Sequence, residues 1–356
     1  METLNQPRIS TTFFTPSAER RVVITYKNFP VAHNVSHIGL GVSALNTAKV
    51  LQANGIHADV WPILSAKDLA ARIQTTTPRP THIVIAAPWL PTLDLQAYLV
   101  FRYPDINFAV VCHSNVGFLS ADPQAITNFR QDLDLEQGSL NFKAAGNSRR
   151  FVRFIQSSYE RPCIWLPNLY YLEAKAGTQR HRWTGGTIKI GSFGAVRPLK
   201  NTLSAAAAAL EIAEKLHSDV DFHISVGRVE GGYTVVRAVE AMLTNSPRVT
   251  LVKDEWYQWP RFRSLIRSMH LLMQPSFSES FNMVTADGAA ESIPSVVSDA
   301  IDWAPDDWKA EVDSPDSIAR IGRHLLLDEF AGAEGFAALE RHNAAGLVAW
   351  KTWVQA

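Results

Sequence analysis

Two acidic residues, Glu279 and Asp287, lie eight positions apart in the segment SFSESFNMVTADGAAESIPSVVSD, which runs from Ser276 to Asp299. A carboxylate has two acceptor oxygens, which match the neighbouring hydroxyl groups of a sugar or a ribose. This spacing corresponds to about two helical turns, so Asp287 returns to a face similar to that of Glu279. Acids placed in this way can bind hydroxyl groups at two points along one ligand.

The backbone between the two acids offers a second kind of chemistry. The segment LLMQPS predicts a strand that ends just before Glu279, and a helix is predicted from Phe281 onward. Because the first N–H groups of a helix lack intrahelical acceptors, we expect the amides of Ser280, Phe281 and Asn282 to bind phosphate. Taken alone, the two acids fit better with an acid at a helix N-terminus and an exposed aspartate.

A second segment whose residues could bind a ligand is IGSFGAVRPLKN, at Ile190–Asn201. A predicted strand ends at Gly191 and Gly194, and a loop with two cations leads into a helix. The glycines let the backbone approach a ligand closely. Arg197, with its planar fork, and Lys200, with its compact charge, are then suited to a diphosphate. The alternative is an exposed loop with two ordinary surface cations.

The whole chain alternates short β-branched runs with segments of helical periodicity, which is typical of parallel α/β architecture. The polar segment Glu173–Gly186 interrupts this alternation. We therefore predict a doubly wound α/β domain over residues 1–172, a linker over 173–186 and a second such domain over 187–342. The tail, Ser314–Ala356, is predicted to be helical throughout, with residues from about 343 to 356 packing back on the first domain. Two such sheets facing each other form a ligand-binding cleft.

Together, the two segments resemble the retaining GT-B glycosyltransferases, which include glycogen synthase-like, sucrose synthase-like and bacterial cell-envelope mannosyltransferases. The family signature joins Pro-Ser at a strand end, two acids spaced E-x7-E, and small residues with a proline before paired valines. The matching residues here are Pro275, Ser276, Glu279, Asp287, Gly288, Ile293, Pro294, Val296 and Val297. The resemblance covers nearly the whole second half and, more loosely, the first. It implies a GT-B fold, in which two Rossmann-like doubly wound domains face each other across a cleft.

The resemblance also implies roles for the residues of the second half. Glu279 would contact hydroxyl groups of the donor sugar, and Asp287, one methylene shorter than the usual Glu, would hold the ribose of the nucleotide. Lys200 and Arg197 would neutralise the phosphates of the donor. With the lysine aligned, the usual arginine position is occupied by Ala195, so Arg197 lies two residues later.

In the first half, Gly39 and Gly41 of HIGLGVSAL match the glycine-rich loop with which the family approaches the phosphates and the acceptor. His113 matches a strand-end histidine near the transferred sugar, although a lone histidine there is more often structural. The run GLGVSA also fits a dinucleotide-binding motif. That motif requires its first glycine directly after the strand and an acid at the end of the second strand. Here about a dozen residues separate Tyr26 from Gly39, and Asp59 lies inside the second strand, so a dinucleotide-binding site is disfavoured.

Other candidate sites are weaker. His33 and His37 have a spacing that binds metal on a helix, but their surroundings predict a loop. The acidic pairs at Asp132–Asp134 and Asp219–Asp221 are expected to be solvated, so no metal is expected. Trp256 is expected to fill the domain surface more readily than to flank a nucleobase.

Composition excludes several classes of protein. Lys plus Arg and Asp plus Glu number 34 each, which argues against nucleic-acid binding. Cys112 and Cys163 lie in apolar runs and are expected to be buried, reduced thiols. The N-terminus lacks the pattern of a signal peptide, and no run approaches the roughly 20 apolar residues of a membrane span, so a cytoplasmic protein is expected. Membrane contact through the basic segment Ser148–Phe154 is less favoured than an ordinary surface helix.

The function implied by the resemblance is transfer of a sugar from a nucleotide-diphosphate donor to a hydroxyl group of a glycan, lipid or small molecule, with retention of configuration. The departing diphosphate helps to take the acceptor proton, and neither a metal nor another cofactor is required. Two alternatives stay open. One is a nucleotide-sugar epimerase or phosphorylase on the same fold, and the other is a protein that binds a nucleotide sugar without turnover.

Overall fold

The computed structural model describes residues 20–28, 37–120, 122–173, 182–230 and 233–356. These residues form two parallel sheets with helices between the strands, which confirms the predicted α/β class with two doubly wound, Rossmann-like units. We call the unit around the sheet at residues 21–165 the first lobe, and the unit around the sheet at residues 188–297 the second lobe. The exact domain limits stay a prediction. Residues 1–19, which include the N-terminal segment expected not to be a signal peptide, and linker residues 174–181 lie outside the described residues.

The first lobe contains a six-stranded sheet in the order β2-β1-β3-β4-β5-β6. Its strands are β1 (Arg21–Lys27), β2 (His57–Ile63), β3 (His82–Ala86), β4 (Asn107–Cys112), β5 (Phe142–Gly146) and β6 (Ile164–Trp165). Its helices are α1 (His37–Ala53), α2 (Ala66–Thr75), α3 (Thr92–Leu95, followed by a π-helical turn at Gln96–Val100), α4 (Val116–Leu119), α5 (Pro123–Gly138) and α6 (Arg149–Ser158). All five residues of β3 are buried, as expected for a central strand covered by helices on both faces.

Several helices of the first lobe begin at side chains that cap them. The hydroxyl of Ser65 accepts a hydrogen bond from the amide of Asp68 at 3.1 Å before α2. Ser148 accepts one from the amide of Phe151 at 3.1 Å before α6. A cap of this kind contributes about 1 kcal/mol. Because Ser148 directly follows Asn147, the second cap also fixes a residue that contacts the other lobe.

The second lobe contains a five-stranded sheet in the order β11-β10-β7-β8-β9. Its strands are β7 (Ile188–Ser192), β8 (Val220–Ser225), β9 (Val249–Asp254), β10 (Leu271–Gln274) and β11 (Ser295–Val297). Its helices are α7 (Thr202–Leu216), α8 (Thr234–Leu243), α9 (Trp259–Arg267), α10 (Met283–Ala290), α11 (Pro315–Leu327) and α12 (Ala331–Gln355), with 3₁₀ turns at Pro198–Lys200 and Asp306–Trp308. α7 packs closely against the sheet because its buried face consists largely of alanine.

The tail is two helices instead of the single helical stretch predicted, because Asp328 after α11 has an extended backbone. α12 begins against the second lobe and ends against the first, where Trp350 is buried among residues of the first sheet. The indole Nε1 of Trp350 donates to the carbonyl of Pro167 at 2.9 Å. Gly346 permits this close approach, since a Cβ there would lie 2.6 Å from Leu169.

Asp132 is a correction to the expectation of a solvated acid. It lies in α5, fully buried, and its Oδ1 is 2.7 Å from the hydroxyl of Thr92. That hydroxyl is also 3.2 Å from the carbonyl of Asn128. A hydroxyl has one proton, so it can donate to only one of these acceptors. The shorter contact is the hydrogen bond that Thr92 donates to Asp132. Burial raises the pKa of Asp132 to about 7, although this hydrogen bond lowers it.

Replacing Asp132 with asparagine should therefore remove a pH dependence of stability. The folded pKa of about 7 lies above the ordinary value of 3.8, so the unfolded state releases the proton first and the free energy of unfolding falls as pH rises toward 7. The free energy of unfolding of Asp132→Asn, relative to that of the unsubstituted protein, should rise by about 2 kcal/mol between pH 5 and pH 8. Urea unfolding at both pH values measures this. Asp134→Asn, at an exposed carboxylate on the same helix, is the control, and a constant difference for Asp132→Asn would contradict a protonated carboxyl.

Candidate functional site

A cleft of about 470 Å³ lies between the two lobes and is lined by residues from both. From the first lobe it receives the start of α1 and the residues after β3 and β4. From the second lobe it receives the loops after β7, β8 and β9 and the segment that leads into α10. These are the C-terminal ends of the strands, where open α/β sheets bind ligands.

All but one of the residues predicted for the site line this cleft. They are Gly39, His113, Gly194, Arg197, Lys200, Glu279, Ser280, Phe281, Asn282 and Asp287. The exception is Gly41, which packs against Tyr26, with ring carbons 3.2 Å from where a Cβ would lie. The two first-lobe glycines also lie within α1, not in the loop expected for them.

Lys200 and Glu279 form an ion pair in the cleft, from Nζ to Oε1. Both side chains are largely buried, with relative exposures of 13% and 10%. Lys200 ends a 3₁₀ turn, and Asn201 after it anchors the turn by donating to the carbonyl of Pro275 at 3.0 Å. Gly194 has a φ of 108°, which favours glycine, and a Cβ added there would lie 3.7 Å from Cε of Lys200. The cation predicted for the diphosphate and the acid predicted for the sugar are thus direct partners.

Arg197 lines the same cleft and contacts groups other than this pair. Its Nη1 donates to Glu230 at 2.9 Å, and its guanidinium lies 4.5 Å from the ring centre of Phe118 in the first lobe. The cause is local pairing: Val196 forms a bridge with Val229, which brings the Arg197 loop beside Glu230. The charge of Arg197 is therefore balanced by a carboxylate.

The two lobes meet directly at the segment that carries Glu279. The carbonyl of Glu279 accepts a hydrogen bond from the side chain of Asn115. The hydroxyl of Ser280 donates to the carbonyl of His113 at 2.6 Å and accepts from Asn147 at 3.1 Å. Asn115 and Asn147 are functional candidates that sequence reasoning missed. Their position just after β4 and β5 was the signal that could have found them.

The helix expected from Phe281 begins two residues later, at Met283. Asn282 has a left-handed φ of 60°, and its side chain caps the helix by accepting from the amide of Thr285 at 3.0 Å. Phe281 is buried against Trp303 instead of opening the helix. The amides at the true helix start belong to Met283 and the residues after it, so the predicted set of amides is displaced along the chain.

His113 follows β4 and faces the cleft. Burial lowers the pKa of His113 to about 4, so the imidazole is neutral near pH 7. A neutral imidazole has one donor and one acceptor nitrogen, which suits a hydroxyl group better than a phosphate.

Asp287 is buried, with 2% of its surface exposed, which makes the alternative of an exposed aspartate wrong. Its Oδ1 accepts hydrogen bonds from the hydroxyl of Tyr170 at 2.6 Å and from Nε1 of Trp259 at 3.0 Å. Burial raises the pKa of Asp287 to about 6, while these two hydrogen bonds lower it. The acid therefore carries charge at neutral pH but is close to titrating.

Aromatic side chains form the second-lobe wall of the cleft near Asp287. They are Trp256, Tyr257, Trp259 and Phe262. Trp256 is 37% exposed and lies 5.6 Å from the guanidinium of Arg228, measured from its ring centre. Trp256, which was predicted to fill the domain surface, thus lines the cleft, where a planar group of a ligand could stack on its indole.

The weaker candidates lie elsewhere or beyond the description. Cys112 and Cys163 are buried and unpaired, as predicted. His33 lies outside the described residues, as does the side chain of His37. Within the described ranges, no three His, Cys, Asp or Glu residues are grouped as a metal site. No helix in that part of the chain combines the length and apolar character needed to span a membrane.

Comparison with known proteins gives structural matches only. No protein-family model matches the sequence, and no curated protein matches it. An apo structure of OtsA superposes with a TM-score of 0.64 at 10% identity, covering 95% of this chain and 99% of that one. Sucrose-phosphate synthase from Thermosynechococcus elongatus superposes with a TM-score of 0.63 at 13% identity, covering 94% of this chain and 98% of that one. The G117R mutant of TarM from S. aureus, solved with UDP, superposes with a TM-score of 0.55 at 13% identity over 77% of this chain. The match spans only 55% of the TarM chain.

These neighbours share the arrangement seen here along almost the full length of OtsA and sucrose-phosphate synthase. In this chain, two parallel sheets face each other across a cleft, and a terminal helix returns from the second lobe to the first. The chain has the GT-B fold, the two-domain α/β architecture that its sequence resembles.

Proposed function

We propose that this chain is a glycosyltransferase that moves a sugar from a nucleotide-diphosphate donor to an acceptor hydroxyl. The observation that carries the proposal is the convergence of Lys200, Glu279, Asp287 and the start of α10 on one cleft between the lobes. A cation and a helix N-terminus suit a diphosphate, and two acids suit the hydroxyl groups on either side of it. The GT-B neighbours support this assignment.

We propose a place in the cleft for each part of the donor. The nucleoside fits beside Asp287 and the aromatic wall, with Trp256 able to stack on the base. The diphosphate fits between Lys200 and the first amides of α10. The sugar then faces Glu279 and the neutral imidazole of His113, and the acceptor enters from the first-lobe side. In this arrangement Lys200 binds the diphosphate and Glu279 binds the sugar, and these contacts replace the ion pair between the two side chains.

We propose transfer with retention of configuration. The bond between the sugar carbon and the diphosphate oxygen breaks, and the acceptor oxygen bonds to the same face of that carbon. The acceptor proton passes to an oxygen of the departing diphosphate. Lys200 and the amides of α10 stabilise the negative charge that develops there. Glu279 and His113 orient the sugar, and contacts between the lobes exclude water.

A panel of nucleotide sugars tests the proposal. The structure of TarM contains UDP, and the trehalose-phosphate synthases among the neighbours are described as UDP-forming, so UDP-sugars come first, followed by GDP- and ADP-sugars. Release of nucleoside diphosphate that depends on a glycan, lipid or small-molecule acceptor supports transfer. Tight binding without release would favour the non-catalytic alternative, and conversion of the sugar without an acceptor would favour an epimerase. A chain that binds none of the nucleotides would overturn the proposal.

Sugar transfer should persist when divalent cations are removed. Lys200 and the α10 amides already place positive charge beside the diphosphate, which is the role a metal would otherwise fill. We expect the turnover rate in excess EDTA to stay within about twofold of the rate with added Mg²⁺, since the charged groups that act on the leaving group belong to the protein. Abolition by EDTA, reversed by Mg²⁺, would show that a metal acts on the donor.

A further inference from the structure

Asp287 is held in place by two donors that reach it from separate parts of the fold. Tyr170, 117 positions before Asp287 in the chain, packs in the core of the second lobe, and Trp259 is the first residue of α9. Both bind the same oxygen, Oδ1. This geometry fixes the direction of the carboxylate and leaves Oδ2 for a hydroxyl group of a ligand in the cleft.

Tyr170 is itself fixed by the terminal helix. The side chain of Asn343 in α12 accepts from the amide of Tyr170 at 2.9 Å and donates to its carbonyl at 2.7 Å. Tyr170 is fully buried, so its hydroxyl has little freedom to leave Asp287. The Asp287 carboxylate is thus oriented through Tyr170 by Asn343 of α12.

We propose that Tyr170 and Trp259 are positioning residues that orient the Asp287 carboxylate toward the ribose of the donor and keep it charged. The proposal rests on the proposed function, because it requires a nucleotide in the cleft. A carboxylate held by two donors makes a stronger, better directed hydrogen bond to a ribose hydroxyl than a mobile or protonated one.

The other groups around Asp287 are accounted for. Arg263 and Glu291 are its charged neighbours, and the guanidinium of Arg263 binds Glu291, which also accepts from Arg267 at 2.8 Å. Of the remaining elements packed on α10, β10 and β11 contain no titratable residue, and α12 places His342 against Phe281. Tyr170 and Trp259 are therefore the groups that bind the carboxylate itself.

The test compares UDP with 2′,3′-dideoxy-UDP by calorimetry, or the ADP and GDP pairs if UDP does not bind. The ratio of the two affinities reports the ribose contact and cancels contributions from the base and the phosphates. We expect Tyr170→Phe and Trp259→Phe to reduce this ratio by a factor of about 5–20, the loss of part of one charge-assisted hydrogen bond. Affinity of Tyr170→Phe for the dideoxy ligand should stay nearly constant, because Tyr170 does not line the cleft, and this also shows that the cleft has folded.

The pH dependence adds a readout that packing alone would not move. In the unsubstituted protein the ratio should fall as pH drops through about 6, where Asp287 gains a proton. In Tyr170→Phe the midpoint should move to higher pH, because a hydrogen bond that lowers the pKa of Asp287 is lost. The ratio is insensitive to the titration of the diphosphate, which both ligands share.

Matched controls exist in the same chain. Tyr103→Phe removes a buried hydroxyl that donates to the carbonyl of Ala70 at 3.1 Å, and Trp350→Phe removes the indole that donates to Pro167. Neither should alter the ratio or its midpoint. If UDP binds but both variants at the site keep the original ratio and midpoint, the positioning role is wrong while the proposed function stands. If no nucleoside diphosphate binds the unsubstituted protein, both fall together.

Discussion

Replacing Lys200 with alanine should lower kcat/KM for sugar transfer by a factor of about 10²–10³, the usual effect of removing one donor that stabilises a developing negative charge. The structure adds a second cause. Glu279 would lose its partner and remain largely buried beside the diphosphate, where two negative groups repel each other. Steady-state kinetics with the donor found in the panel, together with the affinity for the nucleoside diphosphate, measure the effect.

Two further variants separate these causes. Lys253→Ala removes a lysine of the same lobe that pairs with Glu240 at the surface, and it should leave kinetics unchanged. The double variant Lys200→Ala with Glu279→Gln removes both charges, so its affinity for the nucleoside diphosphate should exceed that of Lys200→Ala alone. Such non-additivity is expected of residues in contact. Unchanged turnover in Lys200→Ala would exclude this lysine from the reaction.

Changing Glu279 to glutamine should separate chemistry from nucleotide binding. Glutamine keeps the size of the side chain but offers a neutral group to the sugar, so kcat should fall by a factor of about 10². Lys200 loses its counter-charge in the cleft and becomes a better partner for phosphate. The affinity for free nucleoside diphosphate should therefore stay constant or rise, while transfer is lost.

Single-turnover kinetics and calorimetry of Glu279→Gln provide the comparison, with Glu230→Gln as the reference variant. Glu230 is also a carboxylate of the cleft, but its ion pairs are with Arg197 and Arg228. Loss of nucleotide affinity equal to the loss of transfer in Glu279→Gln would contradict its assignment to the sugar.

The main elements of the fold and the location of the site were predictable because they depend on local pattern. Alternating strands and helices specify a parallel α/β architecture, and strand ends specify the ligand edge. Lys200, Glu279 and Asp287 all follow or precede recognisable strands and helices. Their types and spacing therefore predicted a shared cleft, to which all three contribute.

The partners of these residues were not predictable, because they come from distant parts of the chain. Asn115 reaches Glu279 across 164 positions and Tyr170 reaches Asp287 across 117. No local periodicity encodes such contacts. The displaced start of α10 has a different cause: Asn282 adopts a left-handed conformation that a non-glycine residue rarely takes. Hydrophobic periodicity cannot show such a turn.

The buried state of Asp132 was missed for a third reason. Charged residues are rarely buried, so an acid in a helix is assigned to solvent by default. Its hydrogen-bond partner is the hydroxyl of Thr92, 40 positions earlier in the chain. The contact with Thr92 depends on how α3 and α5 pack.

The return of α12 to the first lobe limits how the protein can be divided. Trp350 docks among residues of the first sheet, although it follows the second sheet in the chain. A fragment that stops after the first sheet would expose the apolar surface that Trp350 covers and should aggregate. A chimera that exchanges the donor half with that of another protein must keep the final helix matched to the half that receives it.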